Sequence, residues 1–153
     1  MNPPTSAPVL PPLACTGARL RRLTRRVTVF YEHYLRTIGL RLTQYSLLAH
    51  LAPEPQSLLA LAERLEMDRT TLTRGLKPLL AAGWVSQSTG RDARQRLLAL
   101  TPAGVAQREI AQAVWADAQR DLEAVMDRAF VADLNRTLEE ALVRLKPALP
   151  EDN

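Results

Sequence analysis

The apolar residues of this chain change their spacing at Gly83, and this change restricts the fold more than any other property of the sequence. Before Gly83 they recur every three or four residues in successive stretches, which is the spacing of amphipathic helices. Residues 84–88 and 96–100 read instead as extended strands on either side of a charged loop at 90–95. Helical spacing returns after Thr101. We therefore predict a mainly α fold with one small β-hairpin.

Two short helices are predicted immediately before the hairpin. Ser57 is placed to cap the first, whose apolar stripe ends at Leu65. Asp68 is placed to cap the second, which continues to about Ala82 and is closed by Gly83, because a carboxylate there accepts hydrogen bonds from the free amides of the first turn. Two short helices joined by a tight turn and followed by a hairpin are typical of a winged helix-turn-helix, in which the hairpin is the wing.

Longer helices are predicted on both sides of this module. A first helix covers residues 20–38 and ends at Gly39, which can adopt the left-handed conformation, and Thr43 is placed to cap a second helix. A fifth helix covers 102–128, with proline at its first position, and a sixth carries an apolar stripe over 134–145. These helices have more apolar surface than the module can cover, so we expect them to pack against a second subunit.

These boundaries divide the chain into four kinds of region. Residues 1–12 are proline-rich and uncharged and are expected to form a disordered lead. Residues 13–42 and 102–146 are assigned to a helical dimerisation region, and residues 43–101 to the winged helix-turn-helix module. Residues 147–153 remain as a tail.

The net charge of +4 hides an uneven distribution. Residues 1–50 carry +6 (seven bases, one acid), residues 51–101 carry +2 (seven bases, five acids) and residues 102–153 carry −4 (six bases, ten acids). The segment 69–96 holds six bases against Asp92 alone. Positive charge is thus concentrated in the second short helix and the wing, as expected for a surface that binds nucleic acid.

The second short helix has two chemically different faces when it is drawn at 3.6 residues per turn. Its apolar face gathers Leu72, Leu76, Leu79 and Leu80, and its polar face gathers Thr70, Thr73, Arg74 and Lys77. Arginine bonds guanine bidentately, threonine methyl groups contact the thymine methyl, and lysine neutralises phosphate. The polar face is therefore the candidate surface for reading the major groove, with Arg69 beside it as a further phosphate or base contact.

Pro78 lies inside this helix. It removes the amide that would bond to the Arg74 carbonyl, which costs about 3 kcal/mol unless the helix bends. Gly75 lies close by. We predict a kink or a loosened turn over residues 74–78.

Five short pieces occur in order within the segment 58–104, namely LAERL at 61–65, DRTTLTR at 68–74, LLAAGWV at 79–85, DAR at 92–94 and LTPAG at 100–104. Through these pieces the segment resembles the MarR family of transcription regulators. No single piece is decisive, but their order and spacing are specific. The long flanking helices extend the likeness from about Leu13 to Leu145. The resemblance implies a winged helix-turn-helix with long N- and C-terminal dimerisation helices, which binds a palindromic operator in double-stranded DNA as a homodimer.

The resemblance also implies roles for single residues of the wing. Arg94 would insert into the minor groove while Asp92 holds its guanidinium, and Arg91 and Arg96 would meet phosphates. The complete set of candidate DNA-contacting residues is Ser57, Arg69, Thr70, Thr71, Thr73, Arg74, Lys77, Arg91, Asp92, Arg94 and Arg96. Repression is the expected outcome of binding, although the sequence itself does not distinguish it from activation.

In the family a crevice between the dimer helices and the DNA module usually takes a small phenolic or aromatic carboxylate effector. The candidate lining residues here are Tyr31, His33, Tyr34, Arg36, Tyr45 and Trp115. An aromatic stripe at helical spacing also fills interiors, so a purely structural role for the aromatic residues stays open. Cys15, the single cysteine, invites a redox-sensing alternative, but no second thiol is present to resolve a sulfenic acid within one chain.

Other classes of protein find little support in the sequence. It contains no catalytic triad, glycine-rich phosphate loop or metal-ligand spacing, so we expect neither an enzyme nor a bound cofactor or metal. No apolar run approaches the length that crosses a bilayer, and no secretory signal is recognisable, which favours the cytoplasm. A winged-helix module that binds proteins instead of DNA remains an alternative.

Overall fold

The computed structural model describes residues 15–92 and 94–146. Its helices are α1 (Thr16–Leu35), α2 (Leu42–His50), α3 (Leu58–Arg64), α4 (Arg69–Ala81), α5 (Pro102–Met126) and α6 (Arg128–Leu145), and a 3-10 turn at Arg36–Ile38 follows α1. Its strands are β1 (Gln56–Ser57), β2 (Val85–Thr89) and β3 (Arg96–Leu100). The predicted lead at 1–12 and tail at 147–153 lie outside the described residues.

The three strands form one antiparallel sheet in the order β1-β3-β2. Val85 pairs with Leu100 at the base of the hairpin, and Thr89 pairs with Arg96 next to the loop. The mainly α architecture with a hairpin wing is therefore confirmed. Strand β1, in which Gln56 pairs with Leu98, was not predicted and adds a third strand.

The main core lies where α2, α3, α4 and the sheet meet the first part of α5. Its completely buried side chains are leucines: Leu35, Leu40, Leu48, Leu51, Leu61, Leu72, Leu76, Leu79 and Leu98. Burial of one such side chain contributes about 1.5–3 kcal/mol to folding. The helices of the DNA-binding module are therefore fixed against one another by a single contiguous set of leucines.

Three helix ends share the same hydrogen-bond pattern. Gly83, with φ of 72°, ends α4, the Trp84 amide donates to the Leu79 carbonyl, and the Gly83 amide donates to the Leu80 carbonyl. Gly39 closes the 3-10 turn in the same way, as predicted. The end of α3 uses Glu66 at φ of 50°, a non-glycine residue in the left-handed region.

The predicted N-caps of three helices are confirmed, and one is wrong. Ser57, Asp68 and Thr101 each accept a hydrogen bond from an amide in the first turn of α3, α4 and α5, respectively. Helix α2 begins two residues earlier than expected: Arg41 is its N-cap in place of Thr43. The Arg41 amide donates to the Gln44 side-chain oxygen at 2.9 Å. The side chain at the third helical position therefore accepts from the amide of the N-cap residue, and this contact takes the place of the predicted threonine cap.

Helices α1, α5 and α6 form a second, thinner layer. Tyr31, Ala118 and Leu122 form its buried cluster, and Val131 of α6 is also buried. Exposed large apolar side chains concentrate there: among the described residues, eight of the nine lie on these helices, namely Leu20, Val29, Ile110, Val125, Phe130, Leu142, Val143 and Leu145. Within 15–92 and 94–146, no helix is long and apolar enough to cross a membrane.

Gly104 provides a direct test of how α5 is attached to the sheet. A Cβ at this position would lie 1.8 Å from the Trp84 carbonyl oxygen, which is backbone and has little room to move. We expect Gly104→Ala to lower the free energy of unfolding by about 1–3 kcal/mol, as is typical of overpacked sites. Urea unfolding followed by circular dichroism measures the change.

Gly17→Ala is the matched control, because the nearest atoms to its new Cβ lie 3.8 Å away. It should leave stability unchanged or raise it slightly, since alanine favours a helix more than glycine does. Unfolding of Gly104→Ala at the same urea concentration as the unsubstituted protein would show that the close approach at Trp84 is not a real constraint.

Candidate nucleic-acid interface

The orientation of α4 follows from its leucines. Leu72, Leu76 and Leu79 are at most 1% exposed, so the apolar side of the helix is fixed in the core. On the opposite side Thr70, Arg74 and Lys77 are exposed, and Thr73 is half-buried. The helix therefore presents to solvent the face that the sequence assigned to DNA.

Asp68 fixes the start of this helix. One of its carboxylate oxygens accepts the Thr71 amide at 2.8 Å and the other accepts the Thr71 hydroxyl at 2.5 Å. These hydrogen bonds lower the pKa of Asp68 below its ordinary value, so the cap is charged at neutral pH. Because its hydroxyl is engaged in the cap, Thr71 differs from the other candidate DNA contacts. Its side chain lines a hollow on the α2 side of the helix instead.

The middle of α4 lies very close to α2. A Cβ on Gly75 would approach the Leu47 side chain to 2.9 Å, so glycine permits this contact. The helix is continuous from Arg69 to Ala81 and includes Pro78 without an interruption. The bend at 74–78 stays a prediction.

The wing loop is organised by its own hydrogen bonds. The Gly90 amide donates to the Gln95 carbonyl and the Gln95 amide donates to the Asp92 carbonyl, each at 2.8 Å. The Asp92 carboxylate accepts the Arg94 amide at 2.9 Å. Contrary to the prediction, no salt bridge joins the Asp92 carboxylate to the Arg94 guanidinium; the carboxylate closes the turn instead. Arg91, like Arg94, has an exposed side chain.

Two neighbouring hollows join α4 to the wing. The first, of about 410 Å³, is lined by Ser57, Leu58, Leu59, Arg69, Asp92, Arg94, Gln95 and Arg96. The second, of about 330 Å³, is lined by Arg69, Thr70, Thr73, Arg74 and Lys77. Arg69 belongs to both, so nine of the eleven candidate residues lie along one continuous surface, which we call the recognition surface. Arg91 lies on the wing loop outside the two hollows, and we include it in the recognition surface because its exposed side chain adds a cation to the same wing. Thr71 faces α2.

The recognition surface carries positive charge without internal compensation. Within the part of the chain that the structure describes, none of the six cations at positions 69, 74, 77, 91, 94 and 96 forms a salt bridge. Elsewhere, exposed arginines such as Arg120 and Arg136 pair with acids on their own helices. The surface is therefore electrostatically suited to a polyanion.

Sequence reasoning missed some residues of this surface. Leu59, which is 47% exposed, and Gln95 line the first hollow beside the cations. Gln95 is the last residue of the charged loop, and its polar side chain could have suggested a DNA contact. Leu59 had no such signal, since a leucine in a short helix is normally assigned to the core.

The six candidate effector residues are not gathered around one cavity. Tyr31 lines an apolar hollow of about 250 Å³ between α1, α5 and α6. Tyr45 lines a different, more polar hollow with Arg108, and its ring stacks on Trp115 at 6.1 Å between centroids. The rings of Tyr45 and Trp115 thus pack with the core and not around a shared ligand space with Tyr31.

The remaining candidates lie toward the outside of α1. Tyr34 donates to Asp121 at 2.6 Å, and this hydrogen bond raises the pKa of the tyrosine. His33 is exposed, and Arg36 pairs with Glu32 at 3.6 Å. Tyr31 donates to Gln119, and burial raises the pKa of its hydroxyl. The phenols that contact α5 are therefore neutral and tie the two helices together.

Cys15 is exposed at the N-cap of α1. Its side chain makes no capping hydrogen bond. It lies on the helix that forms the second layer, apart from the recognition surface, and the redox alternative stays a prediction.

Comparison with known proteins bears on this geometry. The sequence profile of the MarR family matches residues 38–95. The transcriptional regulator MosR of M. tuberculosis, solved in complex with DNA, is 32% identical with a TM-score of 0.68, over 83% of this chain and 98% of that one. A mutant of MarR from E. coli, solved with operator DNA, is 26% identical with a TM-score of 0.73, over 82% of this chain and 92% of that one.

A third similar structure is CouR from Rhodococcus jostii, solved with p-coumaroyl-CoA. It is 22% identical with a TM-score of 0.68, over 92% of this chain and 96% of that one, and at this identity it shows the shared fold. By sequence search, none of the curated proteins matches the chain. The profile match, the identity to MosR over nearly its full length and the shared fold place this chain in the MarR family of transcription regulators.

Proposed function

We propose that the protein binds double-stranded DNA sequence-specifically through the recognition surface, as a homodimer on a palindromic operator, and represses transcription there without catalysing a reaction. The observation that carries the proposal is the recognition surface itself. Its six uncompensated cations lie on the outer side of α4 and on the wing, while the leucines of α4 are buried behind them. MosR and MarR, which share the fold, were each solved with DNA, and this supports the transfer.

Each part of the surface has a distinct chemical role in the proposal. Arg74 reads guanine bidentately, Thr70 and Thr73 contact thymine methyl groups, and Lys77 neutralises phosphate. Arg94 enters the minor groove, where narrow A·T-rich segments attract it most. Phosphate contacts are assigned to Ser57, Arg69, Arg91 and Arg96.

The alternative of a protein-binding module fits this surface less well. Protein interfaces depend on buried aromatic or aliphatic anchors in pockets. Leu59 is the single large apolar side chain that is exposed on the recognition surface within 15–92 and 94–146. Six cations around it favour a phosphate backbone.

The dimer is inferred from α1, α5 and α6. Every residue from 139 to 146 is exposed, including Leu142, Val143 and Leu145, so the last two turns of α6 bury no side chain against their own chain, although Lys146 at their end reaches Glu66 at 3.9 Å. A helical segment that short is marginal in water unless its apolar side is packed. A two-fold arrangement through these helices would place two copies of α4 about one DNA turn apart, and the operator would be palindromic. A dimer over a promoter then blocks polymerase.

A small effector is proposed to act at the hollow beside Tyr31. Its lining is mostly leucine, valine and methionine, and the polar groups at its edge include the Tyr31 hydroxyl and the Gln119 amide. No charged residue lines it. A neutral phenol therefore suits the hollow better than an aromatic carboxylate. CouR binds p-coumaroyl-CoA, whose acyl group ends in a neutral phenol, which motivates this class of probe.

Substitution of Arg74 tests the reading of bases. We expect Arg74→Ala to weaken binding to the preferred duplex by about 1–3 kcal/mol and to relax the sequence preference, whereas Lys77→Ala should weaken all duplexes alike. Selection of bound fragments from random duplexes, followed by anisotropy titration, measures both effects. Arg120→Ala, which removes an arginine paired with Asp117 on α5, is the control and should bind as the unsubstituted protein does. Unchanged affinity and selectivity in Arg74→Ala would contradict the assignment.

The dimer proposal is tested on α6. We expect Leu142→Glu combined with Val143→Glu to shift the mass in solution from two chains to one, because charge is placed on apolar side chains that the partner would cover. Sedimentation at several concentrations gives the mass. Leu59→Glu, which changes an exposed leucine on α3, should remain dimeric. A concentration-independent monomer in the unsubstituted protein would refute the dimer.

Filling the hollow tests the effector site. We expect neutral phenols to reduce duplex affinity severalfold in the unsubstituted protein and to have no such effect on Leu23→Trp, because the indole occupies the space. Thr37→Trp is the control, because Thr37 is exposed and lies outside both this hollow and the recognition surface. Anisotropy titrations with a panel of phenols and benzoates supply the readout. Equal release by phenols from Leu23→Trp, or stronger release by benzoates, would count against the site.

A further inference from the structure

A second cationic surface lies on the first half of α1. Arg19, Arg21, Arg22, Arg25 and Arg26 occupy one side of the helix at helical spacing, and all five are exposed. We call them the arginine stripe. Residues 16–31 contain no acid; the first is Glu32. The recognition surface does not include these residues.

The stripe is not neutralised within the chain. None of its five guanidinium groups forms a salt bridge with any residue in 15–92 or 94–146. Arg21 and Arg25, like Arg22 and Arg26, are four residues apart on a helix, a spacing at which like charges repel. No acid occupies the first turn of α1, where negative charge would favour the helix dipole. These uncompensated charges therefore lower the stability of α1.

The side of α1 opposite the stripe is already in use. Leu20, Leu23 and Val27 turn toward Leu122 and Leu138 around the hollow between α1, α5 and α6. The arginines consequently point away from this layer. The stripe is also far from the recognition surface. The first turn of α5 lies against the sheet, and its last turns lie beside the half of α1 that carries the stripe. At a rise of 1.5 Å per residue, these two parts of α5 are about 30 Å apart. The stripe therefore lies outside the surface that we assign to the first duplex.

We propose that the arginine stripe binds the sugar-phosphate backbone of a second DNA duplex, so that the regulator bridges two segments of DNA. The proposal rests on the proposed function for the first duplex. Guanidinium groups match phosphate in geometry and charge, and backbone binding requires little else from a surface. The result is sequence-independent binding at the end of the molecule away from the operator.

Other partners fit the stripe less well. A protein partner requires apolar anchors, and among the described residues the stripe's side of α1 exposes a single large apolar side chain, Val29, beyond Arg26. A lipid surface requires the apolar side of α1 to be free, and that side packs against α5 and α6. Single-stranded nucleic acid is held by aromatic stacking, and no aromatic residue occurs from 16 to 29.

A two-duplex capture experiment tests the proposal on the full chain. A duplex chosen by selection from a random library is immobilised and loaded with protein, and a labelled 30-base-pair duplex of unrelated sequence is then added. We expect the unsubstituted protein to capture the second duplex, with a steep loss as salt is raised. The variant Arg22→Gln, Arg25→Gln, Arg26→Gln should capture at least tenfold less and still hold the first duplex within twofold.

The matched control removes the same charge elsewhere. Arg120→Gln, Arg136→Gln, Arg144→Gln changes three exposed arginines that pair with acids on their own helices, and it should capture the second duplex normally. Equal capture by the stripe variant, or no capture by the unsubstituted protein, overturns the bridging proposal and leaves operator binding intact. Loss of dimer mass in the stripe variant overturns it as well, because the stripe would then be a subunit contact. Failure to hold even the first duplex contradicts the proposed function itself.

Discussion

Burial of three leucines on α4 determines most of what this protein presents to its surroundings. Leu72, Leu76 and Leu79 are almost completely enclosed by α2, α3 and the sheet, and a side chain of this kind contributes about 1.5–3 kcal/mol when it is buried. A helix rotated by one residue would expose two or more of them, at a cost comparable to the whole stability of a small domain. The rotation of α4 is therefore fixed, and Arg74 and Lys77 must face solvent whether or not DNA is present.

The wing adds charge to this face by a different means. Its loop is closed by backbone hydrogen bonds and by the Asp92 carboxylate, which is used on the Arg94 amide and leaves the guanidinium free. A free guanidinium can enter a groove without first breaking an ion pair. Helices α1, α5 and α6 expose leucine and valine side chains, and we expect a partner to cover them. The recognition surface and these exposed apolar side chains thus lie on different elements, which supports simultaneous binding of DNA and of a second subunit.

The sequence predicted the elements whose signals are local. Glycine at 83 and 39 and the caps at 57, 68 and 101 behave as their chemistry requires. It failed where tertiary contacts decide. Glu66 adopts a left-handed conformation that its side chain does not favour, because the turn from α3 to α4 must close there. Strand β1 has two residues, too few for alternation, and exists because β3 offers a free edge. The aromatic residues share a helical stripe but separate into different packing environments, which spacing alone does not reveal.

The most direct measurement of where DNA binds is the protection of arginines from a dicarbonyl reagent. Mass spectrometry reads the modification with and without one equivalent of the selected duplex per dimer. It reports which guanidinium groups DNA covers, and no residue has to be substituted. We expect DNA to protect Arg69, Arg74, Arg94 and Arg96, and we expect Arg120 and Arg136 to be modified at the same rate in both samples. Modification of Arg74 and Arg94 at an unchanged rate in the complex would show that DNA lies elsewhere on the protein.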